Sequence, residues 1–221
     1  MTYRRAAGAG RILPAGNLSR EHAEQLVGAA VLAPSVLNTQ PWLFDARADA
    51  VDVHLDAART LPVLDPTGRA AVISCAAAVL NLRLAVQAAG REAAVQLLPV
   101  PDNPAHLAQV RIAGPAEVTA THRALYEAIP HRHTNRYPFR DERLPVEVVA
   151  HLEEAAEAEG GLLRVLTTGE VPDVVRTVRE ADSVQRADHE LRGEVGRWTN
   201  RDPNDHDDDG DGRDRQQCLQ P

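Results

Sequence analysis

The sequence predicts an α+β fold, a mixed or antiparallel sheet flanked by helices, arranged as two related copies with the second incomplete. Three observations carry this reading. An apolar stretch from Ala70 to Ala89 has helix length and closes on Gly90. Runs at 51–55, 94–98 and 107–112 have strand length and strand composition. The order helix, loop, strand, long helix occurs first from residue 18 and again from residue 144.

Each element follows from a local signal. Ser19 is a helix N-cap, and Ala23, Leu26, Val27, Ala30 and Val31 then share one face until Pro34 stops the helix. Trp42 to Phe44 is a short extended run, and Val51, Val53 and Leu55 alternate as in a half-buried strand. Asp65-Pro66-Thr67-Gly68 is a turn. The helix from Ala70 to Ala89 is apolar nearly all round and reads as a central core helix, with Cys75 as a small buried hydrophobe. Strands are expected at Ala94–Leu98 and Leu107–Ile112, then a short helix from Ala124 to Ile129 ending at Pro130. Pro145 opens a helix with Val146, Val149, Leu152 and Ala156 on one face, and Gly160-Gly161 ends it. Leu162 to Leu166 reads as a strand, and Pro172 opens a long helix whose Leu191, Val195 and Trp198 share a face. The expected divisions are residues 1–117 for the first copy, 118–199 for the start of the second, and 200–221 for an acidic disordered tail.

Composition narrows the function classes. The 221 residues carry 24 basic residues, all Arg, against 32 Asp and Glu, for a net charge of −8. That balance, with only 3% aromatics, argues against nucleic-acid partners. No run of 18 apolar residues is present, so no membrane partner is expected. Met1 to Ala6 lack the apolar run of a secretory signal, and a cytoplasmic location is the expectation. Cys75 and Cys218 make no disulfide scaffold. The last 22 residues hold seven Asp against three Arg and one strong apolar residue, Leu219, too little apolar surface to order themselves. Asp205, Asp207, Asp209 and Gly210 fit part of a calcium loop, but Gln216 stands where the bidentate Glu is required. The nine His show no metal spacing, and no phosphate-loop lysine, GxGxxG or GxSxG is present.

Two segments can carry chemistry. Pro130-His131-Arg132-His133-Thr134-Asn135-Arg136 gathers two guanidiniums, two imidazoles, a hydroxyl and an amide. Arg forks pair bidentately with phosphate oxygens and a hydroxyl adds a directed bond, although a basic surface loop pairing with acids has the same composition. Ala33-Pro34-Ser35-Val36-Leu37-Asn38-Thr39-Gln40-Pro41-Trp42 sets neutral donors and acceptors between two prolines, which suits a heteroaromatic ring or a simple punctuated turn. Arg69, at the start of the core helix, is placed to help hold an anion.

Together these segments resemble the nitroreductase-like FMN proteins. Residues 33–42 look like that family's APSxxNxQPW signature, and Arg132-His133-Thr134-Asn135-Arg136, followed by Phe139, looks like its R-[RH]-[ST]-x-[RK] signature. The split of the two signatures between copies, with Thr134 to Phe139 and Ile73 to Arg83, is similar to the Acg-type branch, a fused pseudo-dimer. The resemblance covers roughly residues 18–199. It implies a nitroreductase-like fold, with Arg132, His133, Thr134 and Arg136 holding the FMN phosphate and ribityl chain. It likewise implies that Pro34, Ser35 and Asn38 approach the flavin from the other copy. One FMN per chain follows, since each copy keeps one half of a site.

The activity implied is transfer of hydride from NAD(P)H through FMN to a nitroaromatic or quinone, both small-molecule substrates, with no catalytic side chain required. A non-catalytic FMN-sequestering protein and a truncated inactive relative are the alternatives. Two departures from the family stand out. Ala76 replaces a usual glycine, and the family chain continues beyond Thr199, so the expectation is a C-terminal truncation with an out-of-frame tail. An unfinished second copy also implies self-association through its open edges.

Overall fold

The computed structural model describes residues 18–47, 49–140 and 142–199. The calcium-loop pattern, Cys218 and the rest of the tail lie outside these residues. The chain divides into two compact units, one of Met1–Thr134 with Gly193–Pro221, the other of Asn135–Arg192.

The first unit opens with α1, Arg20–Ala30, where the Ser19 hydroxyl accepts from the His22 amide at 3.2 Å. Strand β1, Trp42–Ala46, and β2, Ala50–Leu55, form an antiparallel pair with Trp42 opposite Leu55. Helix α2, Arg69–Ala88, follows the expected turn at Asp65–Gly68, where the Gly68 amide donates to the Asp65 carbonyl at 2.9 Å. Gly90 then reverses the chain at φ +75°, a conformation that favours glycine, into β3, Arg91–Leu97. Strand β4, His106–Pro115, completes a sheet of order β1-β2-β4-β3 in which every neighbouring pair is antiparallel. The sheet is thus the antiparallel one of the two kinds the sequence allows.

The core forms where α2 meets the sheet. Val51 and Val53 of β2 and Val110 of β4 are fully buried, as are Cys75, Ala78, Leu82 and Val86 of α2. Leu26, Val27 and Ala30 of α1 belong to the same cluster, and Trp42 joins it from the end of β1. Strand β2 therefore turns its valines to the core and its Asp52 and His54 to the opposite face, the period-2 alternation of an antiparallel strand. By length and composition α2 is apolar enough to cross a membrane, although Asn81 and Arg83 interrupt its apolar run. In this unit it is the core helix, packed on α1, β2, β3 and β4.

Helix α3, Ala120–Ala128, starts four residues before the apolar pattern does. The missed signal is Thr119, whose hydroxyl accepts from the His122 amide at 3.1 Å. A 3-10 turn, Ile129–His131, follows, with Ile129 in the core cluster. The last helix, α6, His189–Thr199, contributes Glu194 to this unit. Glu194 is 1% exposed, and its carboxylate accepts from the Val63 amide at 3.2 Å and the Leu64 amide at 2.8 Å.

The second unit contains α4, Val146–Ala158, and α5, Val171–Ala187, and neither helix buries a residue. Two expectations change here. Leu162 to Leu166 forms no strand, and Leu162 is 94% exposed. A strand needs a partner strand to take its backbone groups, and the sheet among the described residues does not include this segment. The long helix expected from Pro172 to Trp198 is two helices, broken at Asp188, whose backbone is extended at ψ 114°. The Asp188 carboxylate accepts from the Glu190 and Leu191 amides and so caps α6.

Two outcomes follow. Glu194→Ala leaves two amides without their acceptor and lowers stability by about 2–4 kcal/mol in urea unfolding, while Glu194→Gln, which keeps one carbonyl oxygen, costs less. Burial pushes the Cys75 thiol up to about 12, so the native protein leaves Cys75 unlabelled by iodoacetamide at neutral pH. Peptide mapping after unfolding in guanidinium shows it alkylated.

Candidate functional site

The loop that follows α1 has an unusual backbone. Leu37, Asn38 and Gln40 all adopt positive φ, at 49°, 55° and 50°. Such conformations are costly for residues with a Cβ and persist only when neighbours fix them. Here the Ser35 hydroxyl accepts from the Gln40 amide at 2.9 Å, and the Ser35 carbonyl accepts from the Asn38 amide at 3.1 Å. Arg59 donates to the Thr39 carbonyl at 2.9 Å, and the Cys75 thiol of α2 donates to the Pro41 carbonyl at 3.1 Å. Thr39 and Pro41 are buried, whereas Pro34 and Asn38 are exposed and Ser35 is half-buried. The loop is pinned at its far end and open at Pro34 and Asn38.

The basic segment leaves the core at Ile129 and is exposed from Pro130 onward. Arg132 donates to Thr134 Oγ1 at 3.4 Å and to the Leu32 carbonyl at 3.5 Å, both at the outer limit for a hydrogen bond. Leu32 immediately precedes the loop of residues 33–42, so the fold of the first unit carries Arg132 to the start of that loop across 100 residues of sequence. No carboxylate among the described residues pairs with Arg132, and its guanidinium retains donors for an anion. His133 is exposed beside it in the chain. Arg136 is exposed and falls in the second unit, where Asn135 bonds both backbone groups of Tyr137. The expectation for Arg69 changes: Asp65 Oδ2 already accepts from the Ala71 amide at 2.9 Å, so a carboxylate of the chain itself occupies the first turn of α2.

A further constellation has no signature in the linear sequence. Asp52 and His54 of β2 and His106 of β4 bring one ligand atom each within 4.8 Å of one another. His54 and His106 are register partners at a β-bulge, and their rings stack with centroids 4.3 Å apart. His106 Nε2 lies 3.0 Å from Asp52 Oδ1, to which Gln109 also donates at 2.8 Å. Burial lowers the pKa of His54, and neighbouring His106 acts in the same direction against the Asp52 and Asp45 carboxylates. The one signal in the sequence is the alternation Val51-Asp52-Val53-His54, which puts the polar pair on one strand face. The third ligand arrives only through strand pairing.

No family model matches the chain. A curated Mycobacterium tuberculosis protein named "Putative NAD(P)H nitroreductase acg" is 32% identical over 173 residues, covering 78% of this chain and 52% of that protein. Over that stretch the chain is similar to a protein named as a nitroreductase. A second M. tuberculosis protein, of uncharacterized function, is 33% identical over 174 residues, 77% of this chain and 51% of its own length. The chain spans about half the length of the curated proteins it matches. Among solved structures, a "putative nitroreductase in complex with FMN" from Exiguobacterium sibiricum aligns with 66% of this chain and 91% of its own, at 15% identity and a TM-score of 0.34.

The strain of the loop of residues 33–42 is held by Ser35. Ser35→Ala is expected to speed hydrogen exchange at the Gln40 amide by roughly fivefold, the equivalent of about 1 kcal/mol for one lost hydrogen bond. Exchange in β2 and β4 stays unchanged.

Proposed function

We propose that the chain is an FMN-binding oxidoreductase unit of the nitroreductase type, a fused pseudo-dimer with one flavin site, acting on a nitroaromatic or quinone acceptor. The observation that carries this reading is the placement of Arg132 against the start of the loop of residues 33–42, with no carboxylate neutralising it among the described residues. Sequence similarity to curated proteins named as NAD(P)H nitroreductases supports the same class.

The available side chains fit the chemistry of a flavin mononucleotide. Arg132 offers a bidentate fork for phosphate oxygens, and His133 and Thr134 add donors beside it. Arg136 adds a second guanidinium. Pro34, Ser35 and Asn38 present a rigid, neutral edge suited to a ring with several acceptors. Ser35 uses its oxygen to hold Gln40 and keeps its hydroxyl proton to donate. When bound, FMN would supply the hydride-transfer chemistry between NAD(P)H and the acceptor. The protein's own part would be to bind the phosphate through Arg132, His133 and Thr134 and to orient the ring at Pro34, Ser35 and Asn38. Apolar side chains of α4 and α5 such as Val146, Leu152 and Val178 are exposed, which supports self-association through the second unit.

A visible absorption spectrum of the purified chain, before and after NADPH under anaerobic conditions, tests the reading. A flavin band that bleaches is the expected result. A band that persists points to sequestration instead, and no band after incubation with excess FMN overturns the reading. Arg132→Ala is expected to weaken FMN binding by roughly 10- to 100-fold, as for loss of one charge-assisted contact. Flavin fluorescence quenching measures it.

A further inference from the structure

We propose that Asp52, His54 and His106 form a site for one divalent transition-metal ion of the zinc class on the sheet face opposite the core. Two imidazoles and a carboxylate are ligands of borderline metals, and a three-residue set leaves further coordination positions open. The three ligand atoms lie within 4.8 Å of one another, and rotation of the stacked imidazoles about their side-chain bonds turns them toward an ion bonded at about 2.0–2.2 Å. Their positions are fixed by two paired strands rather than by a loop, since Asp52 and His54 alternate along β2 and His106 is the register partner of His54.

The carboxylate has capacity to spare. Asp52 is fully buried, yet its Oδ2 receives no well-directed hydrogen bond among the described residues. Arg47 Nε stands 2.8 Å from that oxygen as an ion pair, its N–H aimed elsewhere, on a side chain 59% exposed to solvent. A divalent ion replaces the charge that Arg47 supplies, and Arg47 is free to swing into water. Gln109, which donates to Asp52 Oδ1, then serves as the outer partner that orients the ligand. His106 exchanges its contact with Asp52 for the ion and ligates through the lone pair of that nitrogen as the neutral tautomer that carries its proton on the other. His54 is half-buried and gives the ion a way in. The site is separate from the residues assigned to FMN and does not depend on that assignment.

The test is a calorimetric titration of the intact chain with Zn²⁺, paired with thermal melts. The wild-type chain is expected to bind one equivalent more than His54→Ala, with an affinity at least about 100-fold higher at that equivalent, and to show a Zn²⁺-dependent rise in Tm that the variant lacks. Equal binding by the two proteins, as acidic residues elsewhere in the chain would give, overturns the proposal. So does the absence of binding by the wild type. Should the variant fail to show a native circular dichroism spectrum, Co²⁺ added to the wild type decides. Intense visible bands of a four- or five-coordinate, nitrogen-ligated ion support the site, and the weak spectrum of an oxygen-only six-coordinate ion refutes it.

Discussion

Burial of helix α2 against the antiparallel sheet is the contact on which the first unit depends. Its fully buried residues, small ones at Cys75 and Ala78 and larger ones at Leu82 and Val86, share one cluster with Val51 and Val53 of β2. The same helix also positions groups outside the core. The Cys75 thiol reaches the Pro41 carbonyl and fixes the far end of the loop, and Asn81 donates to the Ala29 carbonyl at 3.1 Å near the end of α1. A helix read from sequence as mere hydrophobic filling thus sets the two ends of the segment that carries Pro34, Ser35 and Asn38.

Much of this was legible before any coordinates, and the reasons are local. Ser19, Gly90 and the Val51-Val53 alternation each encode an element through a cap, a left-handed reversal or a period. The two chemistry-bearing segments were legible by residue type. Their meeting was not, because Arg132 and Leu32 are brought together only by α3 and Ile129 docking on the core. The Asp52, His54 and His106 cluster escaped for the same reason: half of its geometry lies in the register of β2 with β4. The break at Asp188 is masked in the sequence, although Asp is a common cap, because apolar periodicity runs through it from both sides.

The second unit shows what periodicity alone cannot do. Helix α4 has the stripe of a core-facing helix in Val146, Val149, Leu152 and Ala156, yet Val146 is 80% exposed and no residue of the helix is buried. A stripe states which face wants cover, and the cover must come from elsewhere. Leu162 to Leu166 has strand composition and no strand, because pairing is a property of two segments.

Glu194 gives the chain an order of events. Its acceptors close on the backbone of Val63 and Leu64 across some 130 residues, with the whole second unit strung between. During synthesis the sheet and α2 are complete long before α6 emerges, so the amides of Val63 and Leu64 wait in water until the last helix arrives. The entropy of closing so long a loop grows only with the logarithm of its length, so the insertion is cheap to span. Helix α6 therefore acts as a latch, set after the sheet and α2 have formed.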